Sequence, residues 1–274
     1  MTRVVTDTSV CIKRLEAENL GIKLAPLRYS AGGRAYTESY ADENGEYEEL
    51  LKQKTEFSTS QPGPAAYLSV FEEELAAGND VLCICISSRL SGAYAAAHAA
   101  AKQSAGPSRV AVFDSRLTAG GLYLLVKQAA RYINDGMKTD EIQKNLILLR
   151  ERINVVFSVR DMAPLAKGGR NGFARINAAT ILNRRPVLLL RDGAVTSGGI
   201  ARGETDMIRI LTRQAPENAA EIIINFIGDA RQAANIHGVF KQTRPNADIH
   251  FMKIGPALAA HLGLNAVGVS YVSE

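Results

Sequence analysis

Residues 81–92 read VLCICISSRLSG: an unbroken apolar run over 81–86 gives way at once to hydroxyls and a glycine, and the alanine-rich AYAAAHAAAKQ of Ala93–Gln103 follows. A continuous apolar run of this length predicts a parallel strand buried on both faces, and the alanine-rich segment predicts a helix. Ser91 and Gly92 then fall at the helix N-terminus, where unpaired backbone N–H groups and the positive end of the helix dipole collect. An oxyanion beside Ser91 would be held by geometry as well as by charge. Taken alone, the serine reads more simply as an ordinary N-cap.

The neighbouring segments repeat the pattern. Residues 3–6 form a short strand ending in Asp7, Thr8 and Ser9; residues 110–113 form another, ending in Asp114 and Ser115 before a helical stretch over 122–134. Three polar loops thus follow three apolar strands, and in open parallel sheets ligands settle outside the carboxyl ends of the strands. A further helix is expected over Thr139–Arg152, with Thr139 as N-cap and with Asp140 and Glu141 in the first turn, where acidic side chains suit the dipole.

Beyond residue 154 the rhythm changes. Strands over 154–159 and 187–190 flank the glycine-rich, basic AKGGRNGFAR of 166–175 and a helix over 176–182. Asp192-Gly193 predicts a hairpin turn with its return strand over 194–200. Strands over 221–227 and 249–254, a helix over 230–243 between them, and a last strand, Val267–Val272, complete a mixed layer. The expected architecture is α/β in two domains: a parallel-sheet N-terminal domain over 1–155 and a mixed α/β C-terminal domain over 156–274.

With 274 residues, 46% of them hydrophobic and 22% charged, the chain can bury a sizeable core. Its formal charge of +4 is mild and its basic residues are scattered apart from pairs such as Arg184-Arg185, so nucleic acid is not an expected partner. The start MTRVVTD leads straight into a strand, and no apolar run approaches the length of a membrane span. The expected location is the cytoplasm, without a transmembrane segment, and transient membrane contact stays open. Cys83 and Cys85 share a face of one strand and Cys11 stands alone, which points to buried free thiols rather than a disulfide framework. His98, His237 and His250 have no neighbours at metal-ligand spacing, so no metal is assigned. Asp7, at a strand end, reads as the cap of the next turn.

A second anion candidate is FSTSQPGP over 57–64, ahead of the helical AAYLSVFEEELAAG. Pro64 suits the first turn of that helix, and the loop before it offers three hydroxyls and an amide. With this segment the ensemble becomes specific. Thr6-Asp7-Thr8-Ser9, Thr59-Ser60-Gln61-Pro62, Ser87-Ser88-Arg89-Leu90-Ser91-Gly92, Phe113-Asp114-Ser115, Gly168-Gly169-Arg170, Arg185-Pro186-Val187-Leu188, and Ile254-Gly255-Pro256 followed by Ala260-His261, in this order, resemble the DegV family over essentially the whole chain.

The resemblance implies two α/β domains with a long-chain fatty acid in a tunnel between them, and a lipid-binding protein rather than an enzyme, with no cofactor beyond that ligand. It implies that the Thr59 and Ser91 hydroxyls bond the carboxylate, with Ser60 beside them, the Gly92 backbone helping and His261 as a further member of the headgroup site. It also implies presentation of the acid to the catalytic subunit of a fatty acid kinase, which phosphorylates it to an acyl phosphate that feeds phospholipid synthesis. Arg170 and Arg202 are then placed near the mouth, where acyl phosphate or the kinase is met. The chain departs from the family at Ala93 (often threonine), Asn171 (often isoleucine), Arg185 (usually lysine) and Leu262 (usually threonine).

Two other classes compete. A serine hydrolase acting on acyl substrates could use His261 and Asp114, but the Gly-x-Ser-x-Gly elbow is missing. A nucleotide-dependent enzyme would need a Gly-x-x-x-x-Gly-Lys loop or Gly-x-Gly-x-x-Gly after a strand, and neither occurs.

Overall fold

The apolar run that opens the sequence reading is the strand Asp80–Cys85, and its alternation shows why the layers form. Leu82 and Ile84 enter one core cluster, while Val81, Cys83 and Cys85 enter another on the opposite face, all essentially removed from solvent. A strand buried on both sides needs cover on both sides, and the rest of the chain supplies it.

The computed structural model describes residues 1–53, 56–60, 63–167 and 184–273. The chain begins β1 (Thr2–Asp7), α1 (Arg14–Asn19), β2 (Ile22–Ala25), β3 (Arg28–Ala31), β4 (Arg34–Thr37), α2 (Tyr47–Lys52) and β5 (Phe57–Ser60). It continues α3 (Pro64–Ala76), β6 (Asp80–Cys85), α4 (Ala93–Gln103), β7 (Val110–Asp114), α5 (Ala119–Asn134) and α6 (Thr139–Arg152). From there it runs β8 (Ile153–Ser158), α7 (Ala163–Lys167), β9 (Arg184–Arg191), β10 (Ala194–Arg202), α8 (Gly203–Arg213) and β11 (Glu221–Phe226). It ends α9 (Arg231–Thr243), β12 (Asp248–Lys253), α10 (Pro256–Leu262) and β13 (Val267–Val272).

Two sheets carry the architecture. The first is parallel, in the order β2-β1-β6-β7; the second is mixed, in the order β10-β9-β8-β13-β11-β12. Helix α5 packs between them, touching β1 on one side and β8, β11 and β13 on the other. Its Leu122, Leu125 and Val126 therefore share one core with Leu82 and Ile84 of the first sheet and with Val155, Leu190 and Ile223 of the second. Helices α3 and α4 cover the outer face of the parallel sheet, where Tyr67 and Phe71 meet the small side chains Ala93, Ala97 and Ala100. Helices α8 and α9 cover the outer face of the mixed sheet through Met207, Leu211, Ile236 and Phe240.

Several sequence expectations meet corrections here. Residues 57–60 are not loop: they form β5, which joins β3 and β4 in a small antiparallel sheet ordered β4-β3-β5. These three strands are only four residues long and carry polar positions, so their pattern is too brief to be legible as strands. Thr139 is the first residue of α6 rather than its cap; Lys138 holds that position, with its backbone N–H 3.4 Å from the Glu141 carboxylate. The helix over 176–182 and the motif Gly168-Gly169-Arg170 with Asn171 lie outside the described residues. The hairpin at Asp192-Gly193 is present, with φ of 47° and 77° at its two corners, as a turn between right-twisted antiparallel strands demands.

Strand β13 lies in the middle of the mixed sheet, and Gly268 sets how closely it approaches β8. A Cβ there would lie 2.6 Å from Phe157 Cβ and 2.9 Å from the Val156 carbonyl oxygen, so the backbone itself would have to move. Gly268→Ala is expected to lower stability by about 1–3 kcal/mol, in the manner of an overpacked core. Urea unfolding measures this, and an unchanged midpoint would show that the strand pair yields at no cost.

Candidate functional site

Each of the polar residues singled out by sequence is set by its own element. Thr59 and Ser60 sit on β5, opposite Tyr29 and Arg28 of β3. The Tyr29 ring stacks between Tyr36 at 5.0 Å and Phe57 at 5.6 Å, which fastens the three short strands by aromatic cross-strand contact. Ser91 closes the turn after β6. Its N–H and that of Leu90 both donate to the Ser87 carbonyl, at 3.1 and 2.9 Å, and its hydroxyl accepts the Ala93 N–H at 3.2 Å at the start of α4. The N-cap is Gly92 rather than Ser91: the serine stands one residue before the cap, and its hydroxyl serves the first helical N–H.

His261 comes from α10, whose first residue, Pro256, needs no N–H partner at a helix start. That start is held by Glu38, 1% exposed, whose carboxylate accepts the Ala257 N–H at 3.4 Å and the Thr8 hydroxyl at 2.7 Å. Burial pushes the Glu38 carboxyl up to about 7, against the lowering effect of those two donors and with a further small push from Asp7. Asp7 is itself fully buried; its carboxylate accepts from the Ser9 N–H and hydroxyl and from the Ile86 N–H at 2.7 Å. It caps the turn Thr8–Val10, as read from sequence, and its own pKa is raised, chiefly by desolvation.

The chain brings these pieces together. Thr59 Oγ1 lies 2.8 Å from His261 Nε2, a hydrogen bond across 202 positions of sequence. Thr59, Ser60, Ser91 and His261 all line one cavity, whose remaining wall is mostly apolar, with Ile86 and Leu90 coming from the segment after β6 and Phe157, Leu190 and Val269 from the mixed sheet. The cavity measures about 140 Å³ for the centres of water-sized molecules. At roughly 10–15 Å³ per water on that measure and about 30 Å³ of liquid each, it holds on the order of ten waters, or about 300 Å³ of fluid. That volume is at the lower end of small-molecule sites.

Other candidates are not on this wall. Gly92 is the N-cap of α4 beside Ser91, not a lining residue. Arg202 sits at the far end of β10 from the lining residue Val195, roughly 20 Å along the strand at about 3.3 Å per residue. Arg170, with Gln61 and Pro62, lies outside the described residues. Asp114 spends its carboxylate on Ser88 and the Arg116 N–H, so it does not serve His261 as a hydrolase triad requires. Among the described residues no group of three metal-ligating side chains occurs, and no helix is long and apolar enough to cross a membrane. All three cysteines are free and buried.

Sequence reasoning missed Arg28, an exposed cation that also lines the cavity, because its role depends on β3 pairing with β5. It missed Glu38 as well, since nothing local marks a glutamate destined to cap a helix more than 200 positions away.

Fold and cavity define an α/β protein with a mostly apolar cavity whose wall carries hydroxyls and an imidazole. The chain belongs to the DegV family: the family model described as "Uncharacterised protein, DegV family" matches it over residues 1–274. It is similar to a DegV family protein from Thermus thermophilus, described as fatty-acid binding, at 27% identity and a TM-score of 0.90, covering 100% of this chain and 99% of the other. It is also similar to DegV from Bacillus subtilis, described as a fatty acid binding protein, at 25% identity and a TM-score of 0.87, covering 100% and 99%. A DegV domain-containing protein of Halalkalibacterium halodurans is 26% identical over 282 residues, covering 99% of this chain and 98% of its own.

Proposed function

We propose that this protein binds a long-chain fatty acid, with the carboxylate at Thr59, Ser91 and His261 and the tail in the apolar cavity, and presents that carboxylate to the catalytic subunit of a fatty acid kinase. The observation that carries the reading is the 2.8 Å pairing of Thr59 with His261 on the wall of an apolar cavity that Ser91 also lines. The fatty-acid-binding relatives from Thermus thermophilus and Bacillus subtilis support it. In this reading the cavity lies between an N-terminal unit, residues 1–155, and a C-terminal unit, residues 156–274, and Gly92 assists through its backbone.

The chemistry fits a carried substrate. A fatty acid has one charge and a long tail, and each buried CH₂ contributes roughly 0.8 kcal/mol, so the tail supplies most of the affinity. Hydroxyl and imidazole donors are assigned to the head, because a bidentate arginine would compete for the oxygen lone pairs that must attack phosphorus; Arg28, exposed on the same wall, is left out of that assignment. In the kinase the carboxylate oxygen attacks the terminal phosphorus of a nucleoside triphosphate, the bond from that phosphorus to its bridging oxygen breaks, the nucleoside diphosphate leaves, and the product is an acyl phosphate. Native mass spectrometry of protein purified from a bacterial host tests binding: a co-purified long-chain fatty acid is the expected result, and a ligand-free protein that hydrolyses an ester would overturn it.

Arg170 and Arg202 are assigned to the partner or to the acyl phosphate rather than to the fatty acid. Arg170→Ala and Arg202→Ala should leave fatty-acid affinity within about twofold, a change of under about 0.5 kcal/mol, and should slow acyl phosphate formation with the kinase. Loss of fatty-acid binding in either variant would show that the roles are exchanged.

A further inference from the structure

The cavity has a second polar place, built from elements other than those that supply Thr59, Ser91 and His261. Asn225 projects from β11 onto the sheet face that packs against α5, and only 5% of it is exposed. Its Oδ1 accepts the Gly120 N–H at 3.1 Å, which fixes which end of the amide is the acceptor. Nδ2 is then left buried with no partner, although Asn225 lines the cavity. Opposite Asn225 on β13 is Gly268, also on the wall, which contributes no side chain to fill the space.

Thr118, also on the cavity wall, lies two residues before Gly120, whose N–H Asn225 accepts. It is the N-cap of α5, yet its side chain makes no capping hydrogen bond, and its hydroxyl is likewise buried without a partner on the cavity wall. The first turn of α5 thus places the positive end of a sixteen-residue helix at the same point. Around these two residues the wall is apolar: Val155, Phe157, Leu190 and Val195. A hydrocarbon chain lying here would leave an amide NH₂ and a hydroxyl unpaired in a dry setting, an arrangement native proteins avoid.

We propose that the ligand of this cavity is an oxygenated acyl chain, a hydroxy or oxo fatty acid, whose chain oxygen accepts from Asn225 Nδ2 and pairs with the Thr118 hydroxyl. The proposal rests on the fatty-acid reading above and adds the substrate class. The donors suit a neutral oxygen: an amide and a hydroxyl supply hydrogen bonds without carrying a charge. Thr59, Ser91 and His261 keep the carboxylate, so the ligand is recognised at two points along its length.

Displacement of a fluorescent fatty acid by stearic acid and by a series of hydroxystearic acids differing in hydroxyl position tests this. At least one hydroxystearate should bind about tenfold more tightly than stearate, the effect of one well-made hydrogen bond in place of an unpaired buried donor. Asn225→Leu should bring the two affinities to within about twofold. Thr118→Val, which sacrifices no capping bond, should narrow the preference in the same direction and carries the test if the first variant fails to fold. Equal affinity for stearate and every hydroxystearate in the unaltered protein overturns the proposal while leaving fatty-acid binding intact. Failure of all these acids to bind overturns the fatty-acid reading itself.

Discussion

Replacing Thr59 and Ser91 together by alanine is expected to weaken fatty-acid binding by about 1–3 kcal/mol, roughly 5- to 150-fold, because two neutral hydrogen bonds to the carboxylate are lost. The tail remains buried in the same cavity, so binding should be reduced rather than abolished. Thr59 has a second part to play, since its hydroxyl lies 2.8 Å from His261 Nε2 and fixes where the imidazole points. Thr59→Ser keeps that hydroxyl and should retain most of the affinity, whereas Thr59→Ala removes this contact to the ring. Exchange of a labelled fatty acid, followed for the single and double variants, measures the effect. An unchanged dissociation constant in the double variant would remove the headgroup assignment.

Glu38→Gln is expected to change how stability depends on pH. In the folded protein the Glu38 carboxyl is pushed up to about 7 by burial, while in the unfolded chain it titrates near its ordinary value of 4.5. Between those two values the folded state holds a proton that the unfolded state has released, so stability falls as pH rises from about 4.5 to about 7 and then levels. A shift of that size corresponds to about 3 kcal/mol at most across the window. Glutamine does not titrate, so the variant should lose this slope and gain on the wild type as pH rises. Asp7, whose pKa is also raised by burial, adds a slope of the same sign that persists in both proteins. Urea unfolding at several values from pH 5 to pH 8 reads the difference, and parallel curves for wild type and Glu38→Gln would rule the account out. The carboxyl matters to the site because it holds the start of α10, the helix that carries His261.

Much of this protein is legible along the chain because its signals are local. The run over 81–86 needs only its own apolar continuity to read as a doubly buried strand, and it is one, with alternate residues in two cores. Asp192 and Gly193 read as a hairpin because few other residue pairs accept positive φ at both corners, and both angles are positive. Ser91 reads as a helix start because an alanine-rich segment follows it, and its hydroxyl does accept the Ala93 N–H. The family resemblance extends that reach to Thr59, Ser60 and His261, which line one cavity with Ser91.

The tertiary structure decided what depends on distance in space. Strand β5 exists because β3 pairs with it and an aromatic stack locks the pair, and a four-residue segment carries too little pattern to announce that. Arg28 reaches the cavity only through that pairing. Glu38 and Asn225 look like ordinary polar residues in sequence. Their roles arise because folding removes water and leaves one carboxylate facing a helix start across 219 positions, and one amide facing an apolar cavity. By itself the sequence determined the doubly buried strand over 81–86, the hairpin at Asp192-Gly193 and the helix that follows Ser91, since backbone sterics and burial periodicity act over a few residues. Which polar groups meet, and which are left without water, was settled only when the two large sheets closed on α5, because desolvation belongs to the assembled packing and to no single segment.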